Sequence, residues 1–227
     1  MYNVFFKDKS THDFPLLVTE VGRRQKAAEQ IEQFEVPYRN GALTIRSDRY
    51  DSYKRKMKMM CTDTDAIGGI NEWLDGHGIL RTDLDNGGFF IADVISGLDN
   101  GKYLRDIDTF SVEFSVEPFF YLDSGEIMIT STAAFSLINP GNIYSQPLIT
   151  VYGSGDITLN INSQFVQLTG VESSITMDSN LVSCYRDTLN MGSKMTGEYI
   201  LMDKGTNNIA WTGSVTKIEI TPRWREK

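Results

Sequence analysis

A period-two alternation of apolar and polar residues is the feature that most constrains the fold of this chain. Residues 108–121, DTFSVEFSVEPFFY, place Phe110, Val112, Phe114 and Val116 on one side and serines and glutamates on the other. This pattern is typical of a β-strand with one buried face. The sequence therefore predicts a mainly β protein, and the glycines and β-branched residues spread along the chain agree with that class.

The sequence after residue 121 predicts an all-β sandwich. Short alternating runs follow one another there, separated by turn residues and without a helical stripe. The runs are LITVYG, DITLNINS, QFVQL, SSITMD, LVSCYR, GEYILMD, NNIAWTG and VTKIEITPRW. We interpret GSGD at 153–156 as a hairpin turn, because it lacks the third glycine and the following helix of a phosphate loop. Charged residues also become sparser in this half, and we predict two domains, 1–130 and 131–227.

The first half contains one predicted helix and a second predicted hairpin. TDTDAIGGINEWL offers capping residues at Thr62–Asp65 and an apolar stripe formed by Ile67, Ile70, Trp73 and Leu74. The glycine-rich DGHG that follows favours a helix end. After it, GILRTDLDNGGFFIADVISG predicts a hairpin that turns at DNGG. The strand YDSYKRKMKMMC should place Tyr53, Met57, Met59 and Cys61 on one face.

The stretch VPYRNGAL at 36–43 contains the strongest local hairpin signal. Asn40-Gly41 between alternating apolar residues predicts a two-residue turn. In that register Tyr38 faces Leu43, and Val36 faces Ile45. Pro37 marks the arm as an edge, since proline lacks the backbone donor that a central strand needs. We interpret the preceding GRRQKAAEQIEQ as a loop.

Charge and composition exclude several function classes. The formal net charge of −8 argues against a phosphate-backbone binder, and we expect no sequence-specific nucleic acid as partner. The basic cluster KRKMK at 54–58 alternates as a half-solvated strand face does. We expect neither a secretory signal nor a membrane span. Cys61 and Cys184 lack metal-ligand spacing, so we expect reduced, buried thiols in a protein made in a cytoplasm.

The residues that could carry catalysis form no convincing site. His12 and His77 have no second ligand at metal spacing, and no G-x-S-x-G elbow accompanies them. Glu113 and Glu117 alternate with serines on a solvent face, and Glu72 and Asp75 belong to a helix end. We therefore predict no catalytic residues, no metal, no cofactor and no enzymatic activity.

A carbohydrate-binding module remains an alternative from a different class. It would require some of Tyr144, Tyr152, Trp211 and Trp224 to stand together on one exposed face of the second domain. The sequence alone leaves open whether these aromatic side chains form a stacking platform or part of the core.

Five segments, in order along the chain, resemble the distal tail proteins (Dit) of long-tailed phages of Gram-positive bacteria. They are VPYRNGAL, INEWLDGHGIL, FSVEFSVEPFFY, NPGNIYSQPLITVYGSGDITLNIN and GTNNIAWTG with IEITPRW. Each is a short pattern of residues, and the five are spread along most of the chain, from Val36 to Trp224. One departure is Tyr38, which stands where the family commonly has glycine.

The resemblance implies a structural role in the virion. It implies an N-terminal β-sandwich-like domain with one helix that forms a hexameric ring, and a C-terminal galectin-like sandwich. The implied ring is a baseplate hub assembled in the host cytoplasm, and it acts at the tail tip in host attachment. The implied partners are the tail tube protein, the tail-associated hub protein and a receptor-binding protein. We expect the subunit interface to include Val36, Pro37, Tyr38, Arg39, Asn40, Gly41 and Leu43.

Overall fold

The computed structural model describes residues 2–96, 99–104 and 107–227, and for residues 99–104 and 107–108 it describes the backbone only. Within these residues the single α-helix, α1, spans Ile67–Trp73. Strands of the first half are β1 Val4–Phe6, β2 Lys9–Ser10, β3 Leu16–Glu20, β4 Ala28–Phe34, β5 Leu43–Asp51, β6 Tyr53–Cys61, β7 His77–Thr82, β8 Gly88–Val94, β9 Asp99–Leu104 and β10 Ile107–Val116. Strands of the second half are β11 Phe120–Leu122, β12 Ile129–Ser131, β13 Phe135–Asn139, β14 Leu148–Ile161, β15 Gln164–Val171, β16 Ser174–Asp178, β17 Ser183–Arg186, β18 Leu189–Asn190, β19 Met195–Gly197, β20 Gly205–Thr221 and β21 Arg225–Glu226.

The predicted fold class is confirmed, since the protein is mainly β with several sheets. The chain divides into two compact units, one up to Phe120 together with Lys227 and the other Tyr121–Glu226. Two independent domains, divided at 130/131, remain a prediction.

The first unit is built on an antiparallel sheet of order β2-β1-β7-β8-β10-β6-β3, with β9 also paired to β10. The predicted alternation of β10 is confirmed: Phe110, Val112, Phe114 and Val116 are all buried. On the neighbouring strand β6 the odd-numbered positions turn inward, and Met57, Met59 and Cys61 are fully buried there. The core of the unit therefore lies against one face of this sheet.

The predicted helix and the second hairpin are confirmed. A 3₁₀ turn at Thr64–Ala66 precedes α1, and the Asp63 carboxylate accepts the Asp65 backbone N–H as its cap. Ile70, Trp73 and Leu74 are buried. The Trp73 indole donates a hydrogen bond of 2.8 Å to the Phe6 carbonyl oxygen, which ties the helix to the sheet. Strands β7 and β8 pair around the predicted DNGG turn.

The predicted register of the first hairpin is wrong. Strands β4 and β5 form a separate two-stranded sheet in which Phe34 pairs with Leu43 and Glu32 with Ile45. Residues 35–42 form an eight-residue loop in place of the expected two-residue turn. The interpretation of residues 22–33 as a loop is also wrong in part, because β4 begins at Ala28.

Strands β12 to β20, all of whose residues are described, form an antiparallel sheet with one apolar core. The sheet order is β12-β20-β14-β16-β17-β18, with β13 paired to β20, and β15 paired to β14 and β19. Two long strands dominate it. The inward side chains of β14 and β20, including Ile149, Leu159, Ile209 and Ile218, are buried together in the core.

The predicted hairpin turn at GSGD is wrong, since residues 153–156 lie inside β14. The register between β14 and β20 shifts at Tyr152/Gly153 and between Ser154 and Thr158, which marks an irregular, bulged segment. A Cβ on Gly153 would lie 2.2 Å from the Ser214 carbonyl oxygen. A Cβ on Gly213 would lie 2.4 Å from the Asp156 carbonyl oxygen. These glycines therefore permit a close backbone approach and let both strands continue.

The two thiols are free and buried, as predicted. Burial raises the pKa of the Cys184 thiol, which keeps it protonated. No helix among the described residues is long and apolar enough to cross a membrane.

Candidate functional site

The hairpin of β4 and β5 is an arm that buries almost nothing within its own chain. Nearly all of its residues are exposed on both faces of the two-stranded sheet. Phe34, Leu43 and Ile45 share one face, because Phe34 pairs with Leu43 and Ile45 lies two residues further along β5. Their exposed fractions are 47%, 40% and 49%. We take this exposed apolar face as the candidate interaction surface.

The tip of the arm holds most of the residues predicted for the subunit interface. Val36, Pro37, Tyr38, Arg39, Asn40 and Gly41 all lie in the loop of residues 35–42, and Leu43 begins β5. The loop surrounds an open hollow of about 430 Å³. Its lining includes Glu35, Pro37 and Arg39, so the hollow offers both charge and apolar surface to a side chain from outside.

Tyr38 explains why the loop departs from the predicted turn. The Arg39 N–H donates to the Val36 carbonyl oxygen at 3.1 Å, which closes a turn over residues 36–39. Pro37 takes the second position of this turn, and Tyr38 takes the third with a φ of 63°. Proline followed by a positive φ is the arrangement of a type II turn, whose third position favours glycine. The turn therefore forms before Asn40-Gly41 is reached, and Tyr38 stands fully exposed at the tip.

Polar contacts hold the base of the arm. The Lys227 ammonium donates to the Tyr50 hydroxyl at 3.0 Å, and the Tyr50 ring packs edge-on against Phe119 with centroids 5.3 Å apart. The hydrogen bond to Tyr50 raises the pKa of Lys227. Arg46 bridges to Glu29 across the two strands at 2.6 Å. The arm is thus anchored at its base, while its apolar face is uncovered.

A buried ion pair beneath the sheet is the main feature that sequence reasoning missed. The Arg55 side chain is 1% exposed, and its guanidinium donates to the Asp85 carboxylate at 2.7 Å and to the Gly22 carbonyl oxygen at 2.8 Å. The Thr82 hydroxyl donates to the same carboxylate at 2.7 Å. The pair joins β6, the β7–β8 turn and the segment before β4, so we assign it a structural role.

Of the residues considered for catalysis, His12, Glu72, Asp75 and His77 are exposed, and Glu113 and Glu117 are half-buried. His77 lies 3.0 Å from Asp93, but both side chains are more than half exposed. The Glu113 carboxylate pairs with the Lys54 ammonium at 2.7 Å on the outer face of the sheet. Across the described residues, no group of three or more His, Cys, Asp or Glu side chains is arranged to hold a metal ion.

The four aromatic residues considered for a sugar platform do not form one exposed group. Trp224 is buried in the core, and Trp211 packs against that core. Tyr152 donates to the Glu219 carboxylate at 2.9 Å, and the Lys217 ammonium lies 4.2 Å from its ring centroid. This hydrogen bond raises the pKa of Tyr152, while hydrogen bonds from Lys217 and Tyr152 lower the pKa of Glu219.

A different surface of the second unit carries no charge. On the outer face of β13, β20, β14 and β15, paired residues point the same way, and all of them are described. The face comprises Ser136, Ile138, Thr158, Asn160, Phe165, Gln167, Thr206, Asn208, Ala210 and Thr212. Phe165 is 58% exposed and lies opposite Asn160. We call this surface the neutral face.

Comparison with known proteins identifies the fold. No protein-family model matches the sequence, and no curated protein matches it significantly. Among solved structures the chain is similar to the SPP1 Dit protein (gp 19.1), described as a paradigm of the hub adsorption apparatus in phages that infect Gram-positive bacteria. The TM-score is 0.76 at 12% sequence identity, over 100% of this chain and 98% of that one. The chain therefore has the fold of Dit, the protein family that its sequence motifs resemble.

Proposed function

We propose that this chain is a structural protein of a phage tail tip, without enzymatic activity, that assembles into a hexameric baseplate hub ring. The observation that carries the proposal is the full-length likeness to a phage hub protein, together with an arm whose apolar face is uncovered. A virion component fits both, since a structural ring needs contact surfaces and no catalytic site. Its place is the tail tip, after assembly in the host cytoplasm.

The arm supplies the contact that a ring requires. A ring closes through heterologous contacts, in which one surface of each subunit meets a different surface of the next. A hairpin that projects apolar side chains beyond its own core is suited to that task. We propose that Val36, Pro37, Tyr38, Arg39, Asn40, Gly41 and Leu43 lie at this subunit interface. Pro37 removes one backbone donor and Tyr38 imposes a turn, so the tip resists indiscriminate strand pairing.

The remaining partners follow from the hub role. We propose that the first domain, 1–130, forms the ring between the tail tube protein and the tail-associated hub protein. The second domain, 131–227, is proposed to be a galectin-like sandwich that supports a receptor-binding protein during host attachment. No cofactor is needed for any of these contacts.

Measurement of the mass of the purified chain tests the ring directly. We expect light scattering to give six times the mass of a single chain at the concentrations at which tails assemble. A mass that stays at one chain across the accessible concentration range would contradict the proposal.

Carbohydrate binding is a second candidate function, and the neutral face is the observation that favours it. An exposed aromatic ring beside amide and hydroxyl groups can stack on a sugar and satisfy its hydroxyls. Phe165 has this position, with Asn160 opposite it and Gln167 two residues along β15. The candidate would make the chain a module for host cell-wall recognition.

Replacement of Phe165 with alanine tests this candidate. If the neutral face binds cell-wall polysaccharide, we expect loss of the stacking ring to weaken saturable binding about tenfold. Tyr152→Phe is the matched control, because Tyr152 lies beside the charged pair of Lys217 and Glu219, away from the neutral face. Equal binding by the Phe165→Ala variant and the unchanged protein rules out this face as the sugar site.

A further inference from the structure

We propose that Asn40 is a site of spontaneous deamidation, which marks the tip of the arm in subunits that have not assembled. The chain has three Asn–Gly pairs, at 40–41, 86–87 and 100–101. The last lies outside the residues whose side chains are described. Glycine after asparagine favours deamidation, because no Cβ hinders approach of its backbone nitrogen to the asparagine side chain. The two described pairs differ in how firmly the chain around them is held.

The step needs only water as co-reactant. The Gly41 backbone nitrogen loses its proton and attacks Cγ of Asn40, a C–N bond forms, and the side-chain nitrogen leaves as ammonia. Water then opens the five-membered succinimide at either carbonyl, which leaves aspartate or isoaspartate. The net change replaces an amide with a carboxylate, and the isoaspartate product also lengthens the main chain by one carbon.

The loop around Asn40 leaves this reaction unobstructed. Asn40 and Gly41 are exposed and lie outside the strands, and in this described loop neither makes a hydrogen bond. A Cβ at Gly41 would meet no heavy atom within 4 Å, so the tip has open space around it. Because the turn forms at residues 36–39, the pair is not locked into the tight two-residue hairpin that its sequence predicts. An exposed eight-residue loop can therefore reach the geometry of attack.

The second pair is an internal control with the same chemistry. Asn86 and Gly87 are also exposed, and the φ values of Gly41 and Gly87 are nearly equal at 81° and 83°. Their loop is shorter, however, and the preceding Asp85 is buried and clamped by Arg55 and Thr82. Motion of the chain around Asn86 would disturb that ion pair. We expect the clamp to slow attack at Asn86.

The consequence for assembly rests on the proposed function. If the tip lies at the subunit interface, a new carboxylate or an extra backbone carbon there weakens docking of an aged subunit. Within a completed ring, the neighbouring subunit would restrain the loop and slow the reaction. Deamidation would then distinguish old unassembled chains from those already built into tails.

Peptide mapping by mass spectrometry during incubation at mildly alkaline pH tests the site. A synthetic peptide of residues 35–43 gives the unrestrained rate. In the single-chain fraction we expect Asn40 to convert at a rate close to the peptide and several-fold faster than Asn86. An Asn40→Gln variant should show no change at this position on the same timescale, since a six-membered ring forms more slowly. Conversion at Asn40 no faster than at Asn86 would overturn the proposal.

Separation of the oligomers by size distinguishes this inference from the ring proposal. Slower conversion of Asn40 in hexamers than in single chains supports both. Equal conversion in the two fractions contradicts both the marking of unassembled subunits and the place of the tip at the interface, while Asn40 remains a deamidation site. Absence of any hexamer contradicts the ring, while the comparison of Asn40 with Asn86 still decides the modification.

Discussion

Replacement of both Phe34 and Leu43 with glutamate is expected to abolish the proposed hexamer and leave a folded single chain. The two side chains pair across the arm on its apolar face. In a ring that covers this face, each new carboxylate would have to be buried without a partner. Central apolar residues of an interface contribute about 2 kcal/mol or more each to the binding free energy. Every subunit contact in a closed ring would lose the contributions of both Phe34 and Leu43. Light scattering checks the mass.

The opposite face of the same strands provides a matched control. Gln33 pairs with Thr44 directly beside the Phe34–Leu43 pair, and both point away from the apolar face. Gln33→Glu with Thr44→Glu adds the same charge at the same distance along the arm, and we expect hexamers to persist. Since the arm buries little in its own chain, neither variant should lower the thermal stability of the single chain. An intact hexamer of the Phe34→Glu, Leu43→Glu variant contradicts the interface.

Replacement of Arg55 with methionine is expected to lower the free energy of unfolding by about 3–5 kcal/mol. The change leaves the Asp85 carboxylate buried, with its charge uncompensated and only the Thr82 hydroxyl as a donor. It also leaves the Gly22 carbonyl oxygen without the guanidinium donor. Chemical denaturation of the single chain measures the loss.

The neighbouring residue Lys54 gives the control for charge removal. Its ammonium also pairs with a carboxylate at 2.7 Å, but the Lys54 side chain is 72% exposed. Surface pairs contribute at most about 1 kcal/mol, so Lys54→Met should have a small effect. Adding Asp85→Leu to Arg55→Met removes the stranded charge and should recover part of the lost stability. Equal losses in the free energy of unfolding from Arg55→Met and Lys54→Met would show that the buried pair contributes no more to stability than the surface pair.

The sequence predicted correctly those elements that depend on interactions between residues close together in the chain. The alternation in β10 and the capped apolar stripe of α1 each predict which face is buried, and those faces are buried in the structure. The prediction of the hairpin register was wrong because two local turn signals compete. Asn40-Gly41 favours one turn, whereas Pro37 with a positive φ at Tyr38 closes another turn earlier in the chain. A tyrosine at that φ is unusual enough that no rule for turns would predict it.

Arg55 and the glycines of β14 and β20 could not be predicted from local sequence, because their roles depend on residues that are distant in the chain. Position 55 has the same parity as Met57, Met59 and Cys61, so the strand pattern did place it inward. Its basic neighbours concealed this, and its partner Asp85 is thirty residues away. Glycine is common in turns, so Gly153 was assigned to one. Only the close approach of the Ser214 carbonyl oxygen explains why a glycine is needed inside this strand. The arm residues proposed for the subunit interface are exposed, so no burial pattern could identify them.

The two free cysteines give the molecule a native pair of kinetic reporters. Cys61 lies in β6 and Cys184 in β17, so each unit holds one thiol, and they are 0% and 2% exposed. A buried thiol is alkylated only during a fluctuation that exposes it, so its labelling rate measures the free energy of local opening. Two units that open independently would give two rates with separate denaturant dependences. A single cooperative unit would give rates that converge, and the unmodified protein can thereby report whether it folds as two domains.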